Sequence, residues 1–238
     1  MQRVPCTSIC LIVACGFAIV GTAGNADEES DRRDAAIAAF VKLGGRITFY
    51  EQKEVASVLL EGPNVTDASL KHLQQLRMFD IIPVVRLFET SVTDAGLAHL
   101  KGLKKLTRLS FTGTLGDAGL AHLSGMTQLR SLNLPNSNNV TDAGVKHLKG
   151  LTNLESLTLA RCKVTDAGLE HLKGMTNLEA LNLSETTVSD AGLEHLKGLT
   201  NLQRLEVGRT RVTEAGFKKL QQALPDLGRR AMITPRQR

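Results

Sequence analysis

Apolar residues recur along the chain at two alternating spacings. In Leu154-x-x-Leu157-x-Leu159-x-x-Cys162-x-Val164, Leu157 and Leu159 stand two apart, the period of a short strand with one buried face. Just beyond, Leu169, Leu172 and Met175 stand three apart and share one stripe of a helix, leaving Glu170 and Lys173 to face out. Thr165 and Asp166 are of the types that cap helix N-termini, and Gly174 is placed to end a helix in the left-handed conformation. A strand, a turn and a helix running to about Lys173 are therefore expected in this stretch.

The same phrase returns along most of the chain. Its leading apolar residue sits at Val65, Val92, Leu115, Val140, Val164, Val188 and Val212, so successive copies lie 27, 23, 25, 24, 24 and 24 residues apart. The strand half repeats as Leu178, Leu181, Leu183, Thr186, Val188, then as Leu202, Leu205, Val207, Thr210, Val212, and in weaker form from Val55 to Val65. The irregular spacings fall between Leu76 and Leu87, at 112–115 and at 135–140, which are loop positions where length changes cost little. Neither half can bury its stripe alone, so stacked copies must share one continuous core.

This frame resembles the leucine-rich repeat, L-x-x-L-x-L-x-x-(N/C/T)-x-L, in seven copies over about residues 55–227. With Val-Thr-Asp-Ala-Gly-Leu included, it is similar to the ribonuclease-inhibitor-like, cysteine-containing subtype, whose units occur in F-box-type receptors and in exported bacterial repeat proteins. The resemblance implies an α/β solenoid: a right-handed βα horseshoe or arc with a parallel sheet on its concave side and helices on its convex side. It also implies a protein-interaction role and names no partner.

The ends read differently. Arg3 precedes an apolar run at 9–20, too short to span a bilayer but suited to a secretory signal peptide, with Gly24-Asn25-Ala26 placing cleavage before Asp27. A lipoprotein signal at Ile12-Val13-Ala14-Cys15 and an uncleaved anchor stay open beside it. Residues 27–54 read as an N-terminal cap, with a helix over 34–43 and a strand over 47–50; 55–228 hold the repeats, closed by Phe217, Leu220, Leu224 and Leu227. Residues 229–238 lack periodicity and read as a loose basic tail, so the domains are 1–26, 27–54, 55–228 and 229–238.

Charge and composition change this picture only at the margins. The formal charge of +5 suggests an anionic partner until it is located. Arg3 belongs to the leader and Arg229, Arg230, Arg236 and Arg238 to the tail, which leaves 27–228 electrically balanced. Aromatic residues are 3% of the chain, too few for base-stacking platforms, so nucleic acid is not expected as a partner. Once the leader is removed Cys162 has no intramolecular disulfide partner.

The repeat also accounts for the residues that suggest chemistry. The six histidines (His72, His99, His122, His147, His171 and His195) recur at one helix position, a ladder without the converging cage that zinc requires. They are expected to pack beside the leucine stripe and cap backbone groups. The recurring Asp67, Asp94, Asp117, Asp142, Asp166 and Asp190 stand at helix starts and read as caps rather than catalytic carboxylates. No catalytic set, metal site or cofactor is expected.

Binding is expected instead on the strand positions that alternate with the core leucines. The candidates are Val84, Arg86, Phe88, Arg108, Ser110, Asn133, Thr158, Asn182, Arg204 and Glu206. Aromatic and Arg side chains dominate interface hot spots, so a protein or peptide docking around Phe88, with Arg86 and Arg108 pairing its acidic groups, is the favoured expectation. The overall reading is a monomeric, non-catalytic interaction module of an exported protein, periplasmic or extracellular, with envelope association through a lipid anchor or the basic tail left open. A structural role at the cell envelope or surface is the main alternative. An F-box-like substrate-receptor domain ranks lower, because 27–54 is too short for an F-box.

Overall fold

The computed structural model describes residues 45–49, 55–75, 82–113 and 115–228. The leader, the helix expected over 34–43 and the basic tail lie outside the described residues.

Among the described residues eight strands form one sheet in chain order: β1 (Gly45–Phe49), β2 (Val55–Glu61), β3 (Val84–Phe88), β4 (Arg108–Thr112), β5 (Ser131–Asn133), β6 (Ser156–Thr158), β7 (Ala180–Asn182) and β8 (Arg204–Glu206). Strands β2 to β8 are mutually parallel, while β1 runs antiparallel to β2 with Ile47 opposite Val58. A helix follows each of β2–β8: α1 (Asp67–Gln75), α2 (Asp94–Leu97), α3 (Asp117–Leu123), α4 (Asp142–His147), α5 (Asp166–Glu170), α6 (Asp190–Leu193) and α7 (Glu214–Ala223). This is the α/β leucine-rich-repeat solenoid that the resemblance implies. Among the described residues no helix is long and apolar enough to cross a membrane.

The sheet register is in phase with the repeat. Leu109, Leu132, Leu157, Leu181 and Leu205 are successive partners, all buried, so each strand delivers its leucine to one core layer. Leu169, Leu172 and Met175 close that core from the helical side at 0% exposure, and burying one such leucine contributes roughly 1.5–3 kcal/mol. Phe217, Leu220, Leu224 and Leu227 are buried at the far end.

Backbone bonds also run from copy to copy. The N–H groups of Glu155 and Ser156 both donate to the Arg130 carbonyl, at 2.7 and 3.0 Å, and those of Glu179 and Ala180 repeat this on Glu155. Side chains add a parallel ladder: Asn153, Asn177 and Asn201 Nδ2 donate to the carbonyls of Thr127, Thr152 and Thr176 at 2.8–3.0 Å. The recurring Thr-Asn-Leu phrase is thus an inter-repeat staple.

Two local expectations are corrected. The helix expected to reach Lys173 ends at Glu170, and Gly174 is not left-handed. Beyond Glu170 the chain descends through i→i+3 turns, Leu172 N–H to Leu169 carbonyl and Met175 N–H to Leu172 carbonyl, so no left-handed residue is needed there. Gly125, at the same place in an earlier copy, does take that conformation with φ +91°, and the non-glycine left-handed residues lie just past the strands, at Glu89, Asn136, Arg161, Glu185 and Arg209, with φ between +51° and +64°. This conformation is normally costly for residues with a Cβ. Here it lets the N–H groups of Asn136, Arg161 and Glu185 reach the carbonyls of Ala160, Ser184 and Gly208 in the next copy.

Candidate protein-interaction face

The sheet buries one face against the helices and leaves the other open. On the open face the register arranges the alternating side chains in rows. Arg86, Ser110, Asn133, Thr158, Asn182 and Glu206 form the middle row, continued on the N-terminal side by Leu59 and then Arg46 of β1. Val84, Arg108 and Arg204 stand in a flanking row with Ser131, Ser156 and Ala180 between Arg108 and Arg204. Phe88 lies in the third row between Glu61 and Thr112.

The two ends of this face differ in how their charges are used. Arg46, Arg86 and Arg108 are exposed, and none has an ion pair among the described residues. Val84, Leu59 and Phe88 beside them are half-buried, so this corner joins free guanidinium groups to accessible apolar surface. At the other end Asn182 Nδ2 donates to Glu206 Oε2 at 2.6 Å, while Asn182 Oδ1 accepts from the Ser184 N–H at 2.9 Å. Asn182 and Glu206 are therefore partnered within the sheet, although alternation marks both as binding candidates. Ser110, Asn133 and Thr158 are half-buried in the small, polar stretch between.

Strand β1 extends the sheet beyond β2, on the side away from β3, and so lies beside the face. Its antiparallel register puts Arg46 opposite Leu59, which adds Arg46 to the basic corner. Sequence reasoning missed Arg46 because the strand expected over 47–50 starts one residue after it, whereas β1 runs over Gly45–Phe49.

The repeated aspartates do not cap their own helices. Asp142 Oδ1 accepts from the Thr165 N–H at 2.8 Å and its Oδ2 from the Thr165 hydroxyl at 2.6 Å, one copy further on. The same pair of bonds joins Asp67 to Thr93, Asp117 to Thr141, Asp166 to Ser189 and Asp190 to Thr213. Asp94 meets Gly116 through the N–H alone, because that copy has no hydroxyl. Capping proper is left to the hydroxyls, as where Thr165 Oγ1 accepts from the Ala167 N–H. A Cβ on Gly168 would collide with Asp142 Oδ1, and the glycines of the other copies meet the preceding Asp in the same way. The Asp-Ala-Gly phrase is one joint between neighbouring repeats.

The remaining candidates for chemistry are likewise built into the array. Burial pushes the Cys162 thiol up from its ordinary value of 9.0 to about 12, so it stays protonated. His122, His171 and His195 are half-buried and His147 exposed. Contrary to the capping expectation, the rings of these four make no hydrogen bond to backbone among the described residues. No cluster of three metal-ligating side chains occurs among the described residues.

Residues 152–212 match the Leucine rich repeat family. The fold of the chain is that of a leucine-rich-repeat solenoid. Solved structures that share its fold include two internalins. An internalin (inlF) from Listeria monocytogenes str. 4b F2365 is 20% identical, with a TM-score of 0.56 over 71% of this chain and 44% of that one. An internalin C2 (inlC2) from the same strain is 18% identical, with a TM-score of 0.57 over 76% of this chain and 81% of that one. The chain thus spans less than half the length of the inlF internalin, and at these identities the likeness is one of fold. No curated protein sequence matches the chain.

Proposed function

We propose that this chain is a non-catalytic protein-binding module of an exported protein, and that its partner docks on the N-terminal quarter of the open face. The observation that carries the reading is the corner where half-buried Phe88 and Val84 meet exposed Arg86 and Arg108, which have no ion pair among the described residues. An aromatic anchor flanked by free guanidinium groups fits a protein or peptide segment that presents an apolar side chain between carboxylates. The non-catalytic reading is supported by the bonding of the repeated aspartates between copies and by the protonated Cys162.

Export rests on the leader at 1–26, and the ribonuclease-inhibitor-like subtype on the 24-residue period with its Val-Thr-Asp-Ala-Gly-Leu phrase. The decisive experiment places a photo-crosslinking amino acid at residue 88 or, as control, at exposed residue 146 on α4, in the native host. A protein adduct formed from residue 88 and not from residue 146 is the expected result. Equal labelling from both positions contradicts the docking face. Fractionation of the same cells with sequencing of the mature N-terminus tests export, with Asp27 as the expected first residue.

A further inference from the structure

The Thr-Asn staple belongs to the copies that enter β6, β7 and β8, and the copy that enters β4 lacks it. The positions filled by Thr152-Asn153, Thr176-Asn177 and Thr200-Asn201 are Lys104-Lys105 in the copy that enters β4. Asn153, Asn177 and Asn201 each bond a carbonyl of the preceding copy, whereas both lysines are exposed and without an ion pair among the described residues. In place of that bond the copy carries two ammonium groups side by side.

The surroundings indicate what the lysines face. A shallow depression of about 490 Å³ opens beside them, walled by Pro83, Thr107, Gln128 and Asn153. Gln128 and Asn153 are already bonded to backbone carbonyls, and Arg130 on the rim is paired with Glu155, so Lys104 and Lys105 supply the unbalanced charge. Residues 101–108 hold Lys101, Lys104, Lys105 and Arg108 with no acidic residue between them. Pro83 and Thr107 immediately precede Val84 and Arg108, and both the Thr107 and Arg108 N–H groups donate to the Pro83 carbonyl. The depression therefore joins the flanking row of the open face at the basic corner.

We propose that the partner's docking segment is an acidic peptide that continues from the Phe88 corner, past Val84 and Arg108, over the strand-entry edge to Lys104 and Lys105. The inference rests on the docking face proposed above and adds the chemistry of its occupant. Extended at ~3.3 Å per residue, about eight residues reach from Phe88 to the lysines, with the apolar anchor at one end and carboxylates at the other. Carboxylates suit the site because its cations are spread along a line with polar, hydrogen-bonding walls, and because it offers no aromatic platform on which a base could stack.

The test uses the full chain and a fluorescein-labelled decapeptide carrying one Phe followed by six Asp and Glu residues, read by fluorescence anisotropy at two salt concentrations. The variant Lys104→Thr/Lys105→Asn introduces the phrase that the copies entering β6, β7 and β8 already use; its melting temperature is measured alongside to show that the fold is kept. Binding about five-fold weaker than wild type, with a shallower salt dependence, is expected. Binding equal to wild type overturns the inference. A single-stranded DNA decamer that binds as tightly as the peptide overturns the choice of an acidic peptide. Phe88→Ala separates the two claims. If it leaves peptide binding intact while the lysine variant weakens it, the edge stands and the Phe88 docking reading fails; the reverse pattern fails the edge alone.

Discussion

Asp142 and Thr165 belong to different repeats, yet two hydrogen bonds of 2.8 and 2.6 Å hold the carboxylate of one to the N–H and hydroxyl of the other. Each Asp in the array is thus at once the first residue of its own helix and the acceptor for the start of the next. Stability must therefore depend on coupling between copies more than on the short helices themselves, which are marginal alone.

Asp142→Ala removes both acceptors and leaves a backbone N–H and a hydroxyl without them, so it is expected to cost about 2–3 kcal/mol. Gly168→Ala is expected to cost about 1–3 kcal/mol, because its new Cβ meets Asp142 Oδ1 and Val164 Cγ1. The two are not independent. With Asp142→Ala in place the main obstruction to the methyl group added at position 168 is gone, so the double variant is expected to be more stable than the sum of the single changes implies. Urea unfolding of the four proteins gives the coupling energy, and strict additivity contradicts the joint.

The strand registers, the core leucines and the one-stripe helices were legible in the sequence because periods of two and three to four residues are local signals. The Asp joint was not, since an Asp at a helix start satisfies the rule for an N-cap before any neighbour is considered. Its signal lay at longer range, in the pairing of every Asp but Asp94 with a Ser or Thr about 24 residues on. The left-handed turns at Arg161 and Glu185 gave no local sign, because Arg and Glu are not residue types that favour that conformation. At the binding face, Arg86, Phe88 and Arg108 followed from alternation, whereas the depression at Lys104 needed the three-dimensional stack.

The turn after each strand offers a comparison of two threonines. Thr186 Oγ1 donates to the Leu183 carbonyl at 2.7 Å in a buried site, whereas the buried Thr90 hydroxyl has no partner among the described residues. Thr186→Val is expected to lose about 1 kcal/mol, and Thr90→Val to be neutral or stabilising. Thermal unfolding of both variants checks the difference. Equal losses contradict it.

Cys162 is expected to resist a thiol reagent at pH 8 in the folded protein and to react at once on unfolding. Its folded pKa of about 12 lies above the unfolded value of 9.0, so above pH 9 the unfolded chain ionises first and gains stability relative to the fold. Stability should therefore fall as pH rises from 9 towards 12, and less so in Cys162→Thr, which adopts the residue that copies at Thr186 and Thr210 already use. A variant with the same alkaline slope as wild type contradicts this assignment.

The central claim is that the corner around Phe88 is where this array meets its partner. The most direct measurement is the affinity of the protein crosslinked at residue 88 for wild type, for Arg86→Ala/Phe88→Ala and for Arg204→Ala at the opposite end of the face. The account predicts a loss of at least about ten-fold for the double variant, an unchanged melting temperature, and near-wild-type binding for Arg204→Ala. Retention of wild-type affinity by Arg86→Ala/Phe88→Ala would contradict it.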